Sequence, residues 1–459
     1  MRSPLGIALS RIVPILLAST SIALCLASLL RRTSLQPTWS ANHRMSNDCH
    51  PDVRRLQQLG FDALDYAQLQ IAVMRTEDFA GFRDELHAPF PTYHTVHLEH
   101  LDGWNDTICA PVVTLTAPRR SSPPDASHIL FGVATTLKRL DESLGPFAHW
   151  AGGTGARIIA VIDPDPRKSH VLQRAHRLGI HLTIVESSTE YLDRYFSLIS
   201  VLHHNREVQT RWAVLIDDDT FFPSMQNLVN KLATYNATEP QYIGALTEDF
   251  EQMHDWGYMA YGGAGVFLSM PLLEQLNGVY AECSRFQDTG DRRIARCIYA
   301  HTTTKLSWER GLYQLDLHGD VSGFFESGRP LPLSVHHWKS WFQVDMEAMS
   351  AIASICSDHC QLRRWRMSDG WFLVNGFSLI QYSTPSEDLQ RMEQTWESGH
   401  YPDDQFTHSL GPLRPKDEMK ISLRLKHVVK GKEVVRQIYA RESTSENPQV
   451  VEIIWYLAE

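Results

Sequence analysis

The chain has 459 residues, 43% of them hydrophobic and 21% charged, with 43 Lys and Arg against 53 Asp and Glu for a net charge of −10. That length is too great for one small core and points to two or three folded units of ordinary globular composition. No basic excess supports nucleic-acid binding, and an anionic ligand would need a local cation or basic pocket.

Residues 1–11 read as a short cytoplasmic tail before a largely apolar segment, 12–30, flanked by Arg2, Arg11, Arg31 and Arg32. About 19 apolar residues just suffice to cross a bilayer as a signal-anchor helix. Ala27 and Ser28 would also suit a cleavable signal, so a secreted form stands beside the anchored one. Residues 31–48 are polar and aperiodic, as a stem would be. Beyond Cys25 lie Cys49, Cys109, Cys283, Cys297, Cys356 and Cys360, an even set that reads as disulfides. Proximity suggests the pairs Cys49–Cys109, Cys283–Cys297 and Cys356–Cys360. Asn105 and Asn236 each open an Asn-X-Thr sequence that could carry a glycan in the secretory pathway.

Residues 49–125 form a small N-terminal region ending in a Pro/Ser/Arg linker at 117–125. From there the pattern turns α/β. Strands are expected at 129–135, 157–162, 181–185 and 212–216, and helices at 140–150, 169–178 and 191–203. Such alternation argues for βαβ units and a mostly parallel sheet over 126–347. Gly152, Gly153 and Gly155 follow a helix and precede a strand, so they read as a turn rather than a dinucleotide fingerprint. Residues 348–459 read as β-rich, with strands at 365–367, 371–374, 377–381, 419–429, 433–440 and 450–457.

The strand at 212–216 is uninterrupted and apolar, and it stops at Asp217, Asp218 and Asp219. In open α/β sheets ligands bind at the carboxyl ends of strands, which places dense negative charge at the expected active-site edge. Adjacent carboxylates repel, and a hard divalent cation is the usual remedy; Mg²⁺ and Mn²⁺ also favour a phosphate as co-ligand. A blander reading has Asp219 or Thr220 simply cap the following helix. Next, Gly262, Gly263 and Gly265 allow close approach of backbone to a ligand, and Trp256, Tyr258 and Tyr261 could pack on a sugar or beneath a tight bend. Asp291 begins a helical stretch at 294–299, where it is either a cap or a base. His336 and His337 end a short apolar run. Strand alternation would send them to opposite faces, so that at most one serves a given metal.

Taken in order, Val133-Ala-Thr-Thr136, Val161-Ile-Asp163, Leu215-Ile-Asp-Asp-Asp219, Gly262-Gly-Ala-Gly265, Gly290-Asp-Arg292 and Ser334-Val-His-His337 resemble the Fringe-like β-1,3-glycosyltransferases of glycosyltransferase family 31. Gln314-Leu-Asp-Leu-His-Gly-Asp-Val-Ser-Gly323 is most similar to the Fringe-related branch of plants and fungi. The resemblance covers roughly 128–345. It implies a GT-A fold, a UDP-sugar donor, Mn²⁺ or another divalent cation, inversion at the anomeric carbon, a glycan or glycoprotein acceptor, and a single-pass type II Golgi membrane topology. Carried across, it puts Asp219 with His336 or His337 on the metal, and Thr135, Thr136, Asp163, Asp217 and Asp218 on the nucleotide sugar. It makes Asp291 the base. Trp256, Tyr261, Gly262, Gly263 and Gly265 would form the substrate and acceptor loop. The paired histidines depart from the Fringe spacing, and Gly290 stands where relatives often carry an acid.

The chemistry fits these residues. Departing UDP concentrates negative charge that a divalent ion stabilises by several kcal/mol, and a positioned carboxylate adds roughly 10²–10⁴-fold. A two-carboxylate glycoside hydrolase has no need of a metal. The alternative from another class is a carbohydrate-binding relative that has lost catalysis, against which the presence of Asp219 and Asp291 argues.

Overall fold

The computed structural model describes residues 51–459 apart from 52, 100–111, 121, 289, 384–385, 398–405, 408, 442–446 and 459. The expected tail, anchor and stem, Asn105 and the pair Cys49–Cys109 lie outside the described residues. Among the described residues no helix is long and apolar enough to cross a membrane.

A seven-stranded sheet carries the site. Its order is Leu306–Trp308, Tyr242–Gly244, Val266–Ser269, Trp212–Ile216, Ile129–Ala134, Arg157–Ile162 and His181–Glu186. The last four strands are parallel, joined by the crossover helices Leu137–Ala151, Lys168–Arg177 and Tyr191–His204. Val266–Ser269 runs antiparallel to both its neighbours, which closes the parallel half. Alternation sorts the strands' side chains to two faces. Phe131, Val133, Val214 and Ile216 pack with Leu140, Leu144, Phe147 and Trp150 on one side. Leu130, Ala134, Ala213 and Leu215 pack with Leu198, Ile199 and Leu202 on the other. With helices on both faces, the uninterrupted apolar strands are accounted for. The α/β class and the β-rich C-terminal region are as expected.

Of two further sheets among the described residues, one of nine strands and one of three, the larger draws on both the 49–125 and the 348–459 regions. Ala63–Thr76 lies parallel to Gln449–Leu457, with Asp65 opposite Gln449 and Val73 opposite Leu457. His94–His97 and Val112–Pro118 flank its other edge. The remainder, from Val434–Arg441 through Ile421–Lys430 to Arg364–Arg366, comes from the C-terminal region. Both ends of the described chain therefore build one sheet. Each end supplies apolar residues that the other must cover: Leu69, Ile71 and Val73 pack in one cluster with Leu423, Tyr439, Val451 and Trp455.

Disulfides join Cys283 to Cys297 and Cys356 to Cys360. Asn236 is exposed in a turn, its side-chain oxygen accepting from the Thr238 backbone and hydroxyl.

Candidate active site

The central strand Trp212–Ile216 delivers its three acids to different tasks. Asp218 is buried and accepts from Arg139 Nε at 2.8 Å and Nη2 at 2.6 Å, from Lys339 Nζ at 3.1 Å, and from the Thr135 hydroxyl. Its oxygens thus tie the strand end to the helix Leu137–Ala151, whose first turn Thr136 caps through Arg139 N. The next helix, Met225–Leu232, is capped by Ser224. Neither Asp219 nor Thr220 caps it, and Thr220 instead donates its hydroxyl to the Gly263 carbonyl at 2.8 Å.

Asp219, only 2% exposed, faces His336, with Nε2 3.0 Å from its Oδ1 and 3.3 Å from Asp217 Oδ2. His336 Nδ1 lies 3.1 Å from the Gln314 carbonyl, a contact that leaves Nε2 aimed at the acids. Burial opposes a charge on this ring, but Asp219 and Asp217 more than offset it and raise its pKa well above the usual value. Burial likewise works against Asp219, and the neighbouring imidazole reverses that, holding the carboxyl below its ordinary range.

The second histidine is also close, which corrects the opposite-face expectation. His337 takes φ of 64°, so the strand alternation breaks, and the two rings stand 3.7 Å apart at 37°. One ligand atom from each of Asp219, His336 and His337 falls within 4.8 Å of the others. This oxygen and imidazole donor set, buried and with excess negative charge, fits a divalent cation. The nitrogens of His337 are already engaged, Nδ1 with Ser340 Oγ at 2.9 Å and Nε2 with Asp316 Oδ1 at 2.8 Å.

The glycine loop serves the site through its backbone. A Cβ on Gly263 would stand 2.1 Å from the His336 ring, so only glycine lets the imidazole take its place. Gly262 N donates to Asp291 Oδ2 at 3.0 Å, and a Cβ there would meet the Tyr195 hydroxyl at 2.5 Å. Gly290 packs on the same tyrosine ring, where any side chain would clash at 2.6 Å. That contact explains the missing acid before Asp291. Successive residues of one loop thereby position the base candidate and the histidine. Burial, opposed by the Gly262 amide and reinforced by Asp217, pushes the Asp291 carboxyl up to about 6.

Around the acids lies a cavity of about 290 Å³ lined by Thr135, Thr136, Tyr191, Asp217, Asp219 and His336, among others. Tyr191 has its hydroxyl pKa pushed up, first by the charge on Asp217 and then by burial. Other expected residues lie apart from this cavity. Asp163, more than half exposed, is ion-paired with Arg194 at 2.8 Å. Tyr261 is 3% exposed and donates its hydroxyl to the Gln252 carbonyl at 3.1 Å, so it packs beneath the bend and offers no face to a sugar. Trp256 is exposed, with the Arg292 guanidinium 5.7 Å from its ring. Gly265, at φ of 101°, ends the bend.

Sequence reading gave no role to Arg139, Lys339, Gln314, Asp316 and Trp341. Arg139 sits one turn into the helix that Thr136 opens, a spacing that could have revealed it. Gln314 serves three partners: its carbonyl faces His336, its Oε1 accepts from Ala264 N at 2.8 Å, and its Nε2 reaches Asp316. Beneath them the carboxyl of Glu248, pushed up to about 8 by burial and then by Asp316, accepts from Leu315 N at 2.6 Å.

Residues 169–297 match the Fringe-like family, and residues 251–359 match a family described as a protein of unknown function, DUF604. The Fringe-like resemblance carried by the ordered motifs is borne out. Fold, site and family match together define a glycosyltransferase. Among solved structures the chain is similar to the glycosyltransferase GlyE of Streptococcus pneumoniae, at 11% identity over 40% of this chain and 45% of that chain, TM-score 0.27. The matched part thus spans less than half of GlyE. Mouse xyloside xylosyltransferase 1 aligns at 10% identity over 39% of this chain and 84% of that one, TM-score 0.27. The 4-diphosphocytidyl-2C-methyl-D-erythritol synthase of Anaerococcus prevotii aligns at 13% identity over 39% and 86%, TM-score 0.30. No curated protein matches the chain.

Proposed function

We propose that this protein moves a sugar from a UDP-sugar to a hydroxyl of a glycan or glycoprotein, with inversion and a β-1,3 linkage, in a reaction that depends on Mn²⁺ or another divalent cation. The observation that carries the reading is His336 Nε2 held 3.0 Å from Asp219 and 3.3 Å from Asp217, on a loop contact one residue from the one that holds Asp291.

Asp219 and His336 would hold the cation, with Asp217 beside them; His337, its two nitrogens engaged elsewhere, would support from behind. When bound, the cation offsets the charge gathering on the departing diphosphate. Asp291 takes the proton from the acceptor hydroxyl as that oxygen forms its bond to the anomeric carbon. The bond from that carbon to the diphosphate breaks in the same step, its electron pair leaves with UDP, and attack from the opposite side inverts the centre. Arg139 and Lys339 hold the Asp218 carboxylate in place, so the strand end stays in register with the nucleotide site. In the cell the protein would sit in the Golgi membrane through residues 12–30, with the enzyme in the lumen, or be secreted after cleavage.

The test is UDP release by the purified protein with a panel of UDP-sugars and Mn²⁺, with and without chelator. Turnover is expected with at least one donor and is expected to vanish in chelator. Turnover that survives the chelator would sink the metal-dependent mechanism, and sugar binding without any turnover would favour the carbohydrate-binding relative.

A further inference from the structure

The hydroxyl of Tyr195 is buried and has no hydrogen-bond partner among the described residues. A phenylalanine would pack the same ring without leaving a polar atom unsatisfied, so the oxygen calls for a reason other than stability. We propose that Tyr195 is the positioning residue for the base: its ring and hydroxyl set the spacing of Gly262 and Gly290, the two backbone points that hold Asp291. The proposal rests on the reading of Asp291 as base and names the residue on which its placement depends.

The contacts at the two ends of the ring carry the argument. Gly290, immediately before Asp291, faces the near end, where a Cβ would stand 2.6 Å from Tyr195 Cδ1 and 2.9 Å from Tyr195 Cβ. Gly262, whose amide donates to Asp291 Oδ2 at 3.0 Å, faces the far end, where a Cβ would stand 2.5 Å from the hydroxyl oxygen and 3.2 Å from Cζ. That same point lies 3.5 Å from Asp291 Oδ2. One rigid phenol thus spans from the residue that precedes the base to the residue that orients it. The Gly262 amide is only as well aimed as the surface it rests on, and the Tyr195 oxygen is part of that surface.

The ring is itself held. Tyr195 lies on the helix Tyr191–His204, and Arg293, two residues past Asp291, returns to that helix. Its Nη1 pairs with Asp193 Oδ1 at 2.7 Å, and its guanidinium lies 5.3 Å from the Phe196 ring. The segment that bears the base is therefore docked on residues either side of Tyr195. One turn earlier on the same helix face, Tyr191 lines the cavity around the acids, so a single helix meets both the nucleotide site and the base. Burial, and then the charges on Asp217 and Asp291, raise the Tyr195 pKa well above its ordinary value. The phenol stays protonated through neutral pH, so it acts through Asp291 and does not take the acceptor's proton.

The experiment combines two substitutions. Tyr195→Phe removes the oxygen, Gly262→Ala drives a methyl group against it, and in the double variant the methyl takes the room the oxygen leaves. Tyr195→Phe is expected to lower kcat about tenfold, because small misplacements of a reacting group are costly. The acidic limb of kcat/KM should move to higher pH, since a loosened Gly262 amide no longer favours the ionised Asp291. KM for the UDP-sugar and Mn²⁺ affinity should stay unchanged, and the melting temperature should hold or rise once the unsatisfied hydroxyl is gone. Gly262→Ala should lose more activity, and adding Tyr195→Phe to it should restore part of the loss.

Natural kcat and an unmoved limb in Tyr195→Phe overturn the proposal. So does a double variant no better than Gly262→Ala, or a fall in kcat accompanied by a lowered melting temperature and no shift of the limb, which would make Tyr195 a packing residue only. Should Gly262→Ala fail to fold, Tyr195→Phe decides alone. Near-full kcat in Asp291→Asn defeats the base reading, and absence of UDP release from every donor defeats the transferase reading. Crystal structures of the variants then decide the placement by itself: the contact from Gly262 N to Asp291 Oδ2 should lengthen in each single variant and return toward 3.0 Å in the double one, and an unchanged contact overturns the proposal.

Discussion

Asp291 combines three properties a general base needs. It keeps some solvent contact, one oxygen is oriented by the Gly262 amide, and its pKa is pushed up to about 6 by burial, opposed by that amide and reinforced by Asp217. A carboxylate raised toward neutrality is a better proton acceptor and is still ionised at pH 7. The sign follows directly: as pH falls through about 6 the base is protonated, and kcat/KM should decline with one acidic limb. Cation binding near Asp217 relieves part of the repulsion, so the limb in the presence of Mn²⁺ lies at or below that value. Asp291→Asn should lower kcat roughly 10²–10⁴-fold, erase the limb, and leave UDP affinity unchanged by calorimetry. An Asn variant with near-full kcat would remove Asp291 from the chemistry. At this scale the sequence showed where the acids and histidines fall along the chain more clearly than how they meet. The acids at the strand end and Asp291 were legible because residue type and position suffice. That His337 would turn beside His336 was not, because the turn is a backbone angle of 64°, uncommon for any residue but glycine and marked by no local pattern.

At the scale of elements, the bend at 262–265 is the part whose purpose the sequence misdirected. Three glycines near aromatics suggested a loop that meets substrate, whereas Tyr261 is buried and the glycines make room for protein groups. A glycine reports that something comes close without naming it, so the partner could be learned only from the fold. The strands and crossover helices were legible to within a few residues, since continuous apolar runs and 3.6-residue patterns are local signals. The bend makes a sharp prediction. In Gly263→Ala the new Cβ would lie 2.1 Å from two atoms of the His336 ring, so the imidazole must leave its place between Gln314 and Asp219. Mn²⁺ affinity and turnover should both fall by about tenfold or more, with the melting temperature lowered by a few degrees, as for a local overpacking cost of about 1–3 kcal/mol. Calorimetric titration with Mn²⁺ checks this. Unchanged affinity would mean that His336 is not a ligand.

At the scale of the whole molecule, the second sheet was only half legible. Its strands were expected, but the parallel pairing of Ala63–Thr76 with Gln449–Leu457 joins segments nearly four hundred residues apart, and no local pattern specifies such a partner. The pairing makes the last strand an internal one, between Val434–Arg441 and Ala63–Thr76. Removing residues 449–459 would uncover two strand edges and strip Val450, Val451, Ile453, Ile454 and Trp455 from the cores. At about 1.5–3 kcal/mol for each large apolar side chain, the loss rivals the roughly 5–15 kcal/mol that holds a typical domain together. The damage would reach the catalytic part, because residues of the nine-stranded sheet and its approach pair with an acid inside 126–347. Lys420 Nζ and Arg424 Nη1 pair with buried Glu326 at 3.0 and 2.9 Å, just after the helix Ser322–Phe325. A carboxylate left buried without them costs several kcal/mol. The truncated protein is therefore expected to lose its cooperative thermal transition and Mn²⁺-dependent UDP release together. A truncation that keeps a sharp transition within a few degrees of the full chain, with activity intact, would show that residues 126–347 stand without the sheet built from the two ends.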